Sequence, residues 1–178
     1  MKSKRIVKSE IFGLVFSVIL SVILHEVFKF TAGARIAAVF GGVNESVWEH
    51  LKILSFAYLL WIPFGLFISK IEFKRYLVAK TFGVVFIILS VTFFFYIYSG
   101  ILGKSLLWVD ILTAVVCTAL AYFISARLCL YLRNPDKYFW VCVFLLILII
   151  TAFLCFTPNP PRIGLFRDPS GSYGIPSV

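Results

Sequence analysis

The sequence predicts an all-α protein: a polytopic transmembrane helix bundle of about five spans, N-terminus inside and C-terminus outside. Three observations carry that expectation. The chain is 61% hydrophobic and only 14% charged, against about 45–50% and about 25% in soluble domains. Its apolar residues come in long runs separated by short polar links, and its basic residues alternate in density from link to link. A mean hydropathy of +1.01 excludes a soluble enzyme, a nucleic-acid binder and a disordered chain, and makes the lipid bilayer the required partner. A span needs about 20 apolar residues, so 178 residues leave no room for a separate soluble domain. Residues 1–157 are expected to form one transmembrane domain, and residues 158–178 a tail.

The first span is placed at about 9–31. Lys2, Lys4, Arg5 and Lys8 precede an apolar run from Ile11 to Leu24, which has the outline of a signal peptide. The charged residues His25, Glu26 and Lys29 stand between that run and the small residues Ala32-Gly33-Ala34, so an uncleaved helix is the better reading. A Gly- and Ala-rich link follows, Ala32 to Val43. Residues 44–52 read as an amphipathic helix start leading into a second span at about 53–71, in which Pro63 predicts a kink. The third span is placed at about 78–102 and the fourth at about 106–132. Asn134-Pro135-Asp136 is a turn signal, and the fifth span is placed at about 138–157. With the N-terminus in the cytoplasm, the inner segments hold eleven of the seventeen basic residues, as the positive-inside rule requires. The net charge of +9 is read as those cytoplasmic links.

The four cysteines sit inside apolar runs without a CxxC spacing and are read as small buried packing residues. Trp48, Trp61, Trp108 and Trp140 fall near span ends and read as an interfacial belt.

Polar chemistry collects on the outer side. Both histidines, His25 and His50, fall there, with Glu26, Glu45, Glu49, Asp110 and Asp168. His25 lies fourteen residues after Ile11, about 21 Å along a helix axis. Ionisable groups at such depths face the bundle interior or water and are candidates for function. At 100° per residue, Glu45, Glu49 and Lys52 form one stripe and Ser46 and His50 a second beside it. Two carboxylates and an imidazole on adjacent stripes suit a divalent metal or acid–base work. The competing reading is local: Ser46-x-x-Glu49 is a capping box, and Glu49 and Lys52 can pair at i,i+3. His25 and Glu26 point about 100° apart, so both cannot ligate one compact site, and Glu26 can pair with Lys29.

The candidates are therefore Glu49, His50, Glu45 and Asp110 for acid–base chemistry, and His25, His50 and Glu49 for metal. Arg162, Arg167, Asn44 and Ser46 are the candidates for binding an anionic substrate. The tail is either disordered or folded back onto this face. Ile163, Leu165, Phe166 and Tyr173 make it too apolar for a solvated linker. Folding back would bring Arg162 or Arg167 to the carboxylates or to a lipid phosphate.

Two stretches resemble a known group of sequences. Val43-Asn44-Glu45-Ser46-Val47-Trp48-Glu49-His50-Leu51-Lys52 and the tail from Asn159-Pro160-Pro161-Arg162-Ile163-Gly164-Leu165-Phe166-Arg167-Asp168-Pro169 to Tyr173-Gly174 resemble an uncharacterised family of small multi-pass membrane proteins from bacteria, largely Gram-positive ones. His25-Glu26 also fits. The resemblance covers the full length and implies a bacterial plasma-membrane protein, but supplies no activity. Three functional readings stand at this point. One is a metal-binding or acid–base site acting on a lipid or lipid-linked substrate. Another is a small-solute binding or transport subunit of a permease. The last is a membrane interaction or assembly protein with a protein partner.

Overall fold

The computed structural model describes residues 2–176; Met1 and the last two residues of the expected tail, Ser177 and Val178, lie outside it. Seven α-helices follow in order: α1 (Lys2–Phe30), α2 (Arg35–Phe40), α3 (Val47–Leu60), α4 (Ile62–Ser69), α5 (Phe73–Leu102), α6 (Leu107–Tyr131) and α7 (Asp136–Phe156). Five helical segments are long and apolar enough to cross a membrane, with α3 and α4 together making the second. No strand forms among the described residues.

Local chemistry accounts for the breaks. Pro63 stands in the first turn of α4. Its missing N–H and ring cannot continue the ladder of α3, and the axis breaks at Trp61. Gly103 ends α5 in the left-handed conformation, φ 70°, which glycine adopts without a Cβ penalty. The link expected between the first two spans is not structureless: Arg35–Phe40 forms α2, and Ala37 and Ala38 are buried. The basic N-terminal residues continue α1 rather than preceding it.

The chain runs so that the start of α1 lies at one end of the bundle, and its finish, the start of α3 and the tail lie at the other. Helix α3 is central. Leu51, Ile53, Phe56, Ala57 and Tyr58 are all buried on it. A buried ion pair pins α1 to α5 near the N-terminal end, where Lys80 Nζ lies 2.6 Å from Glu10 Oε2. The same ammonium sits over the rings of Tyr122, Tyr58 and Tyr76 at 4.2, 4.7 and 5.1 Å, which supplies the π-face stabilisation that water would otherwise give.

Of the four tryptophans expected in the belt, Trp61 is a core residue and Trp48 is half-buried. Trp61 is buried against Phe16 and Phe64. Trp48 packs on Phe153 and Phe166 at 4.8 and 4.7 Å. Trp108 and Trp140 are exposed. Three cysteines are buried, but Cys155 is exposed, and all four are free.

Candidate functional site

The site begins with the backbone before α3. Helical geometry starts only at Val47, and Ser46 is its N-cap with extended backbone, φ −72° and ψ 156°. The Ser46 hydroxyl accepts from the Glu49 amide at 3.4 Å, as a capping box requires. The Glu49 carboxylate, however, reaches back to the amide of Val43 at 3.0 Å rather than to that of Ser46. The Ser46 amide is taken by the side chain of Asn44 at 2.9 Å.

Glu45 and Glu49 therefore do not share a stripe, because Glu45 precedes the helix. Glu49 turns inward, away from the other metal and acid–base candidates. It is 2% exposed and forms a 2.7 Å ion pair with Lys52, which is 0% exposed. The Lys52 ammonium also donates to the carbonyl of Ala38 and the hydroxyl of Thr157, both at 2.9 Å. The other Glu49 oxygen accepts from Thr157 at 3.1 Å. These bonds lock α2, the loop before α3 and the end of α7 together, and engage both oxygens of the Glu49 carboxylate.

Glu45 turns the other way, to the histidines. Its Oε2 lies 3.2 Å from His25 Nε2 and 3.6 Å from His50 Nε2. The two imidazole centroids are 5.2 Å apart. One donor atom from each of His25, Glu45 and His50 falls within 4.8 Å of the others. Tetrahedral zinc with bonds of about 2.0–2.1 Å holds its ligands about 3.3 Å apart, so a small contraction closes the set.

The far ring nitrogens are committed. His25 Nδ1 donates to the Glu26 carboxylate at 2.7 Å. His50 Nδ1 donates to the Ser46 carbonyl at 2.8 Å. Each Nδ1–H fixes a tautomer whose Nε2 lone pair points at Glu45, which is the arrangement that outer hydrogen bonds impose on metal-bound histidines. A carboxylate oxygen faced by lone pairs needs a cation or a proton between them. Glu26, adjacent to His25 and unsuited to ligate beside it, is thus the group that orients it. The His-Glu adjacency was the signal for that role. Lys29 closes the rim, 3.2 Å from Glu45 and 3.6 Å from Glu26.

The tail folds back over this cluster. The Asp168 carboxylate accepts from the Glu45 amide at 2.8 Å, and the Asn44 side chain donates to the Gly174 carbonyl at 2.9 Å. Phe166 is buried between Trp48 and Phe156. A tight turn from Asp168 to Gly171, closed by the Arg167–Tyr173 bridge, gives the segment its shape. Burial pushes the Asp168 carboxyl up, but hydrogen bonds from Ser170 and the Glu45 amide outweigh it and hold its pKa below the ordinary value.

A group held low in the folded state stabilises above its unfolded pKa and loses that contribution as pH falls through the folded value. Pepsin cleavage within residues 158–176, taken at each pH relative to cleavage of a free peptide of the same sequence, is therefore expected to accelerate on acidification from about pH 5 to about pH 2. In Asp168→Asn it should already be fast at about pH 5 and change little below.

Beneath the cluster lies a cavity of about 910 Å³ whose walls come from α1, α3, α5, α6 and the tail. His25, Glu26, Glu45, His50, Asp110, Arg167 and Asp168 all line it. Asp110 accepts a hydrogen bond from the Tyr98 hydroxyl. At the bottom, the Ser17 hydroxyl bonds to Tyr122 at 2.7 Å, and the buried Thr118 hydroxyl lines the cavity without a partner. Arg162 is exposed and lies outside the lining, as do Asn44 and Ser46, which serve the turn.

The sequence match spans the same elements, from α1 through the tail. The chain belongs to a family of unknown function. That family, DUF6512, covers residues 1–175, so both the histidine cluster and the folded tail lie within it. Comparison with curated proteins and with solved structures gives no match.

Proposed function

We propose that this multi-pass protein of the bacterial plasma membrane is a metal-dependent hydrolase whose His25, Glu45 and His50 hold a divalent ion at the extracytoplasmic mouth of the cavity. The substrate class is a lipid or lipid-linked molecule. The observation that carries this reading is the convergence of two imidazole Nε2 atoms on one carboxylate oxygen, with both Nδ1 atoms already committed. Two histidines and a glutamate with a position left open form the donor set of a hydrolytic zinc site. A zinc ion held there would supply a bound water with its pKa lowered to about 7 and a Lewis acid for an acyl or phosphoryl oxygen. Asp110, which lines the same cavity, would take the proton of that water, and Arg167 would pair with an anionic group on the substrate. The extracytoplasmic placement is supported by the basic residues, eleven of seventeen of which fall on the inner side when the N-terminus is cytoplasmic.

Elemental analysis of detergent-purified protein tests the reading. Wild type is expected to carry close to one divalent ion per chain, and His50→Ala to have lost it while keeping its helical circular-dichroism spectrum. Wild type free of metal after growth in zinc-supplemented medium, or metal undiminished in His50→Ala, overturns the proposal. The cavity would then belong to a solute or a partner.

A further inference from the structure

We infer that the cavity takes a single-chain amphiphile with an anionic headgroup, admitted sideways from the membrane between α1 and α6. The inference deepens the proposed function and rests on it for the position of the headgroup alone; the chain's position is argued independently.

The cavity is amphiphilic along its depth. Its volume is near the upper end for small-molecule sites. Its body is lined by Val18 and Val22 of α1, Leu54 of α3, Val91 of α5, and Ile111 and Val115 of α6. Its ionisable residues gather at one end, at the histidine cluster and the tail. A solute soluble in water has no use for the apolar body, and a wholly apolar ligand has none for the charged rim.

On the side of α1 and α6 the cavity is walled by side chains that keep much of their surface accessible. Val22, Ile111 and Val115 line the cavity and are nevertheless 64%, 56% and 39% exposed. These three lie within membrane-spanning segments, so their accessible surface faces hydrocarbon. An aliphatic chain already in the leaflet enters from that side without crossing water.

The rim selects the charge of the headgroup. Each carboxylate there has a partner: Glu26 holds His25, Glu45 holds Lys29, Asp110 holds Tyr98, and Asp168 holds the Glu45 amide. The Arg167 guanidinium, at the same rim, has no hydrogen bond or ion pair among the described residues. A guanidinium presents a planar fork of donors matched to phosphate and carboxylate oxygens. Arg167 is thus the cation at the mouth left to meet the oxygens of a headgroup.

The test uses full-length zinc-loaded protein in phosphatidylcholine nanodiscs, melted in the presence of dodecyl phosphate, inorganic phosphate or dodecyltrimethylammonium. Dodecyl phosphate is expected to raise the melting temperature saturably, and the other two to leave it unchanged at the same concentration. Arg167→Ala is expected to weaken dodecyl phosphate about tenfold, the loss of one charge-assisted contact. Val22→Trp and Ile111→Trp, which add bulk to that side from α1 and from α6, are expected to abolish the shift while keeping metal content and the ligand-free melting temperature.

Equal stabilisation by inorganic phosphate overturns the chain's role, and equal stabilisation by the ammonium amphiphile overturns the anionic preference. Undiminished binding in both tryptophan variants overturns the lateral route. Bound metal with no response to dodecyl phosphate removes this inference and leaves the metal site standing. A response to dodecyl phosphate without bound metal removes the metal site and leaves this inference standing.

Discussion

Truncating Lys52 to alanine is expected to cost about 3–5 kcal/mol of stability, read as a large drop in the melting temperature of the detergent-solubilised chain. The ammonium is fully enclosed, and each of its three protons has an acceptor: Glu49, the Ala38 carbonyl and Thr157. Removing it leaves the Glu49 carboxylate buried with its charge uncompensated, and the cost is that desolvation rather than the worth of the pair itself. The double variant Glu49→Gln/Lys52→Met should therefore recover most of the loss. Glutamine still accepts from the Val43 amide, and methionine fills the lysine's volume without a charge. A Lys52→Ala protein that melts like wild type would show that the pair is open to water and that Glu49 is free for other chemistry.

The second large effect is on metal affinity. Glu26→Ala is expected to weaken metal binding about 10–100-fold, the usual cost of losing an outer hydrogen-bond partner of a ligating histidine. Glu26 touches no proposed ligand position itself; it holds the His25 ring through Nδ1. Competition titration against a chelator of known affinity measures the loss. Lys29→Ala supplies the control. Lys29 competes with a metal ion for Glu45, so its removal should leave affinity undiminished or raise it. If both variants weakened binding equally, Glu26 would be acting on the rim in general and not on His25.

Much of the scaffold was legible in the sequence. Five long apolar runs can do little but cross a membrane, and Pro63 breaks the second of them for a reason intrinsic to its ring. The Ser46 cap and the Glu49–Lys52 pairing follow from spacing within one turn. Contacts set by tertiary structure were not legible. Helical spacing put Glu45 and Glu49 on one stripe, but the helix begins two residues after Glu45, and the extended backbone at Ser46 sends the two carboxylates to opposite sides. His25 meets Glu45 across twenty residues of chain and a separate short helix, which no local pattern encodes. The tail was undecided between order and disorder. Its order comes from Phe166 seated on Trp48 and from Asp168 on the Glu45 amide, partners more than a hundred residues away. The Glu10–Lys80 pair was not legible either, because only the packing of α1 on α5 brings the two residues together.

The account turns on whether His25, Glu45 and His50 share one metal ion. X-ray absorption at the zinc edge of the zinc-loaded, full-length protein asks that directly. The account predicts two imidazole nitrogens at about 2.0–2.1 Å and a carboxylate oxygen at about 2.0–2.2 Å, with no sulfur scatterer. A sulfur shell at about 2.3 Å, which would place zinc on a cysteine, or a shell of oxygens without imidazole, would contradict it.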